Sequence, residues 1–138
     1  MLKTALLIAI LISIPWFAWA DSNWEFDRPY TLKCSEGGQE QMNICLGEEY
    51  QKIDYKLNAL YMQLINTLEN PKKLKEAQKA WIRFRNLDCD YTTSGILKEG
   101  TYHFYSQTAC FIDHTEKRIR DLQKYFKWEG NGSPPRKH

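Results

Sequence analysis

Residues 39–68 read QEQMNICLGEEYQKIDYKLNALYMQLINTL. Their apolar members Met42, Leu46, Tyr50, Ile53, Leu57, Leu60, Tyr61, Leu64 and Leu68 recur every three or four positions. That interval keeps them on one side of an α-helix, whereas a strand would need alternation. At ~1.5 Å per residue the helix would be roughly 45 Å long, enough to form the spine of a small domain. The stretch therefore predicts an amphipathic helix that must bury its stripe against other helices.

Working outward, Asn70-Pro71 closes this helix and opens a second, with Asn70 as cap and Pro71 at the first helical position. The second helix runs to about Cys89, with Leu74, Ala77, Trp81, Phe84 and Asp88 on a stripe. The short link predicts that helices one and two are antiparallel neighbours. Thr92 to Gly100 reads as a loop, and a third helix then runs to about Tyr125 with Ala109, Ile112, Ile119, Leu122 and Phe126. Valine is absent, while Leu, Lys, Glu, Gln and Ala abound, a bias toward helix. The fold class expected is all-α, a small disulfide-stapled bundle of three main helices, the first one long.

The first twenty residues are a different material. Lys3 is their only charge, an apolar run follows from Ala5 to Ile14, and Ala18-Trp19-Ala20 ends the segment. A basic start, a short apolar stretch and an A-x-A exit describe a secretory signal peptide cleaved after Ala20. The first cysteine is Cys34, so no cysteine near the cleavage point could carry a lipid. The expected organisation is a signal peptide over 1–20, a helical domain over 21–129 and a disordered Gly/Pro-rich tail over 130–138. Without Lys3, Arg136 and Lys137, the body carries 16 basic and 17 acidic groups. A near-neutral exported domain gives no reason to expect a nucleic-acid partner.

All four cysteines, Cys34, Cys45, Cys89 and Cys110, lie beyond the signal segment. An even count in a small exported domain favours two disulfides over a metal site, because there is no Cys-x-x-Cys and the three histidines are scattered. Three connectivities are open; pairing neighbours, Cys34 with Cys45 and Cys89 with Cys110, is preferred because it staples two local loops.

Polar residues interrupt the apolar faces at helical spacing. Asp54, Asn58 and Tyr61 share a face of the first helix, Gln78, Trp81 and Arg85 one of the second, and Thr115, Arg118 and Leu122 one of the third. An acid and two arginines could meet inside as a register-fixing network, with Asp54 pairing with Arg85 or Arg118, and loss of one partner costing about 3–5 kcal/mol. No catalytic constellation emerges: His103 and His114 are too far apart along one helix to share a metal, and Ser35, Ser94 and Ser106 lack a glycine elbow. No enzyme activity, metal or cofactor is expected.

The same groups carry a resemblance. Met42-Asn43-Ile44-Cys45, Asp54-x-x-Leu57-Asn58-x-x-Tyr61, Ala77-Gln78-x-x-Trp81-x-x-Phe84-Arg85-x-x-x-Cys89 and Cys110 with Thr115-x-x-Arg118 resemble the LprI-type lysozyme-inhibitor domain. The resemblance covers about Cys34 to Leu122, and its Gln-Trp-Arg-Cys segment is the most specific part. Departures are Ile53, where a small residue is usual, and the reduced glycine-rich approach to the fourth cysteine at Gly100-Thr101. The resemblance implies a secreted or periplasmic bacterial protein that binds a protein partner, with lysozyme inhibition as the activity. The alternative is a periplasmic accessory or toxin-neutralising protein with a non-lysozyme partner. The best candidate contact is the segment between the third and fourth cysteines, with Ser94, Lys98, Glu99, Tyr102, His103 and Tyr105.

Overall fold

The computed structural model describes residues 33–137; the expected signal peptide at 1–20, residues 21–32 and His138 lie outside the described residues. Three helices make up the described chain, α1 (Gln39–Thr67), α2 (Lys72–Thr92) and α3 (Thr101–Lys127). The expected all-α class holds, and α1 is the longest.

The helix ends follow local chemistry. Gly37 precedes α1 at φ +90°, a backbone that disfavours side chains, and a Cβ there would sit 3.0 Å from the Cβ of Gln41. The Asn70 side chain accepts from the Lys72 N–H at 3.1 Å, but the helix begins one residue later than the sequence suggests, with Pro71 rather than Asn70 at the N-cap. At the other end hydroxyls take the open carbonyls: Thr93 Oγ1 and Thr92 Oγ1 both donate to Cys89 O, at 2.8 and 3.2 Å, and Ser94 Oγ donates to Tyr91 O at 2.7 Å. The first turn of α2 holds Lys72, Lys73 and Lys75 and no acid, the unfavourable sign for a helix N-terminus.

Packing departs from the expected neighbour order. α1 lies mainly along α3, and α2 packs less extensively, chiefly against α3. Asn43 Nδ2 reaches Thr101 O at 3.0 Å near the starts of α1 and α3, and Tyr50 meets Phe111 (5.8 Å between centroids) further along. The two helices therefore run in the same direction, with α2 returning antiparallel to both. A short link fixes the direction of α2 but not the face it meets. The apolar stripe of α3, with Ala109, Ile112, Ile119 and Leu122 all buried, offers α1 the larger surface.

The core has two parts. Cys34, Leu46, Ala109 and Ile112 pack at the disulfide end, with Tyr50, Ile53 and Tyr105 against them. Leu57, Leu64, Ile119 and Leu122 fill the opposite end, joined by Leu60, Tyr61, Leu74, Trp81, Tyr125 and Phe126. Phe84, expected in the buried stripe of α2, is exposed; the inward row is Leu74, Gln78, Trp81, Arg85 and Cys89.

The tail composition reads as disordered, yet the structure places 130–137 back on the bundle. Lys137 N–H donates to Thr67 O at 2.9 Å, and Glu69 N–H donates to Pro135 O at 3.1 Å. Arg136 Nη2 donates to the α3 carbonyls of Tyr125 and Phe126, at 2.6 and 3.0 Å. Composition misses this because the donors that satisfy a helix end here come from one arginine outside the helix.

Candidate functional site

Two disulfides close the described chain, Cys34–Cys45 and Cys89–Cys110, the preferred pairing of neighbours. The second sets the register of α2 against α3. Going back along α2 and forward along α3 from it, Arg85 meets Thr115 (3.4 Å) and Gln78 meets Arg118 (2.9 Å from Nε to Oε1). Both guanidinium groups approach the ring of Trp81, their carbons 5.1 Å (Arg85) and 5.8 Å (Arg118) from its centroid. Phe111 and Tyr125 carry their other contacts, at 5.1 and 5.9 Å. Aromatic faces thus help to stabilise two nearly buried cations.

The structure brings Gln78, Trp81, Arg85, Thr115 and Arg118 together in one layer, and the α1 residues Asp54, Asn58 and Tyr61 join it less closely. Asp54 approaches Arg85 only to 4.0 Å and remains about two-fifths exposed. Arg85 instead gives Nε and Nη2 to Asn86 Oδ1, both at 3.2 Å. Asn58, expected inside, is exposed and donates to Asp54 Oδ2 at 2.9 Å, and Tyr61 belongs to the apolar cluster. The reason is packing: α2 does not press on α1 closely enough to enclose the Asp54 face. Burial raises the pKa of the neighbouring Tyr50 phenol above its ordinary value, with Arg85 partly opposing.

Sequence reading missed one pair. His114 Nε2 and Asp88 Oδ2 are 2.8 Å apart, and Phe84 stands edge-on to the imidazole at 5.6 Å. The signal was the disulfide itself, since Asp88 precedes Cys89 and His114 lies one turn after Cys110. The ligand atoms of Cys89, Cys110 and His114 lie within 4.8 Å of one another, but both sulfurs are committed to the disulfide and cannot bind a metal while it holds.

The segment from Ser94 to Tyr105 caps the same end of the bundle. Ser94, Lys98, Glu99 and Tyr102 are exposed and His103 is half-buried. Tyr105 packs inward on the Cys34 cluster, and Tyr102 stacks on it at 6.1 Å with planes 11° apart. Leu97 (80% exposed) and Phe104 (49%) present apolar surface that the sequence reading did not single out as contacts.

Folding also separates charge along the bundle. The disulfide end, residues 33–50 and 86–113, carries eight acids (Glu36, Glu40, Glu48, Glu49, Asp88, Asp90, Glu99, Asp113) against Lys33 and Lys98. The remaining described residues carry fifteen bases against six acids. Within the acidic end, Glu49 binds Lys33 (3.6 Å) and Lys52 (3.0 Å), and its bond to Lys52 holds its carboxyl below the usual range. Glu36, Glu40, Glu48 and Glu99 are exposed. The near-zero total conceals a bundle with an acidic end and a basic end.

The described residues thus form a two-disulfide helical bundle with a buried arginine layer and an acidic, loop-capped end. The chain belongs to the family described as Lysozyme inhibitor LprI, whose model matches residues 33–122. Over 97 residues, 59% of this chain, it is 29% identical to the uncharacterized protein YecT of Escherichia coli K12, and the match spans 60% of that protein's length. It is 25% identical over 101 residues, 62% of this chain, to an uncharacterized protein of Rhizobium meliloti, with 72% of that protein covered. No solved structure matches the chain.

Proposed function

We propose that the chain is exported on its first twenty residues and acts without catalysis, by binding a basic protein through its acidic, loop-bearing end. Lysozyme is the partner the family description names. The observation that carries this reading is the contact of Asn43 Nδ2 with Thr101 O at 3.0 Å. It sets the acidic first turns of α1 beside the loop that displays Leu97 and the first turn of α3 that displays Tyr102 and Phe104. An apolar centre with an acidic surround suits a basic partner: the apolar groups supply affinity, and the charges steer the encounter. The Cys89–Cys110 bond ties α2 to α3 below the loop and lowers the ordering cost of binding. Two disulfides fit an oxidising compartment. No helix among the described residues is long and apolar enough to cross a membrane.

The test is to add the exported protein to lysozymes of several types and follow lysis of a cell-wall suspension. Inhibition should weaken with added salt, with Leu97→Ser/Phe104→Ser, and with Glu40→Lys/Glu48→Lys/Glu99→Lys. No inhibition of any lysozyme at large molar excess would remove the lysozyme reading.

A further inference from the structure

The basic end has its own surface chemistry. Lys72, Lys73, Lys75 and Lys79 are exposed on the first two turns of α2, and none has an acidic partner within 4.0 Å among the described residues. Lys127 closes α3, followed by Trp128, 44% exposed. Between α2 and the end of α3 lies an apolar groove of about 210 Å³, lined by Leu64, Leu68, Leu74, Tyr125, Trp128 and Pro134, with Lys73 and Arg136 also in its wall. Lys73 thus borders the recess that holds the partly exposed indole, and Lys72, Lys75 and Lys79 line a neighbouring depression on α2 together with Glu76.

We infer that this end docks on an anionic phospholipid surface, lysines against headgroup phosphates and Trp128 at the headgroup level. Cationic clusters are drawn to anionic bilayers, and tryptophan favours the boundary between headgroups and acyl chains. A nucleic acid would satisfy the lysines but offers no apolar layer for the groove. The two disulfides fit an oxidising compartment outside the nucleic-acid-rich cytosol. Docking this end turns the acidic end away from the bilayer. The inference goes beyond partner binding at the acidic end and does not depend on it.

The experiment is flotation of the exported protein with two kinds of vesicle, phosphatidylcholine alone and phosphatidylcholine mixed with phosphatidylglycerol. Binding is expected only to the mixed vesicles and should disappear in high salt. Each lysine at such a surface is worth roughly fivefold in binding, so Lys72→Gln/Lys73→Gln/Lys75→Gln/Lys79→Gln should bind several-hundred-fold more weakly while keeping its helical circular dichroism. Trp128→Phe should lose the blue shift of tryptophan emission that accompanies binding. Equal binding to both vesicles, or undiminished binding by the four-lysine variant, would overturn the inference. So would displacement from the mixed vesicles by duplex DNA at matched phosphate concentration, which would mark the end as a general polyanion site.

Discussion

Arg118 donates from Nε to Gln78 Oε1 across the α2–α3 interface at 2.9 Å, and both side chains are buried. Among the described residues, the Nη2 atom of the same guanidinium has no hydrogen-bond partner. A buried cation is thus held by one neutral amide and by the faces of Trp81 and Tyr125.

Loss of that amide leaves the charge with aromatic contacts alone. Gln78→Ala is expected to destabilise the fold by about 3 kcal/mol, the range for stranding a buried charge. Gln78→Leu combined with Arg118→Met should recover most of this, because apolar side chains of similar volume replace buried polar groups at little cost. Urea unfolding of the two variants decides it: equal losses in both would mean that the amide–guanidinium bond is not the origin.

The Asp54–Arg85 pair should contribute far less than an enclosed ion pair. With Asp54 two-fifths exposed and 4.0 Å away, Asp54→Asn is expected to cost about 1 kcal/mol or less. Arg85→Ala, which empties the space among Trp81, Phe111 and Tyr50, should cost about 3 kcal/mol. Denaturation midpoints of both variants, measured together, give the ratio directly.

The Cys89–Cys110 bond closes a segment with a sequence separation of 21. The chain-entropy model assigns such a loop about 3 kcal/mol. Cys89→Ser/Cys110→Ser should lose that much, and amide exchange should quicken first in residues 93–100, next to the broken bond. Uniform exchange through all three helices would argue instead for global loosening.

Lys72 begins α2 with a positive charge at the positive end of the helix dipole. Lys72→Glu reverses the sign and should stabilise the protein by roughly 0.5 kcal/mol at low salt, with the gain shrinking as salt is added. Thermal unfolding at two ionic strengths tests this. The same variant should bind anionic vesicles more weakly, so stability and docking move in opposite directions.

Tyr50 supplies a pH dependence. Burial raises its folded pKa above the ordinary 10.0, so the folded state disfavours the phenolate. The stability linked to this group is full below pH 10 and is lost as pH rises through the raised folded value. Ultraviolet titration should show a component ionising above pH 10 that Tyr50→Phe removes, and an unchanged titration curve in that variant would contradict it.

Much of this was legible in the sequence because it is local. Apolar spacing from Met42 to Leu68 defined α1, Asn70 and Pro71 placed the break, and the four cysteines lay close enough in sequence for neighbours to pair. Trp81, Arg85 and Arg118 carried the polar layer at helical spacing. Phe84 was misplaced because 81 and 84 lie on adjacent rows of a helix, and only the contact with α3 selects which row faces inward.

By itself the sequence determined the three helices, their ends and the polar groups that each face carries, since these depend on a few neighbouring residues. The tertiary structure decided that α1 runs parallel with α3, that Asp54 stays partly in solvent, that Asp88 meets His114 and that Arg136 closes α3. It also turned a near-neutral composition into an acidic end and a basic end. Each of those depends on which surfaces bury the most apolar area against each other, and that free energy belongs to pairs of distant segments rather than to any one of them.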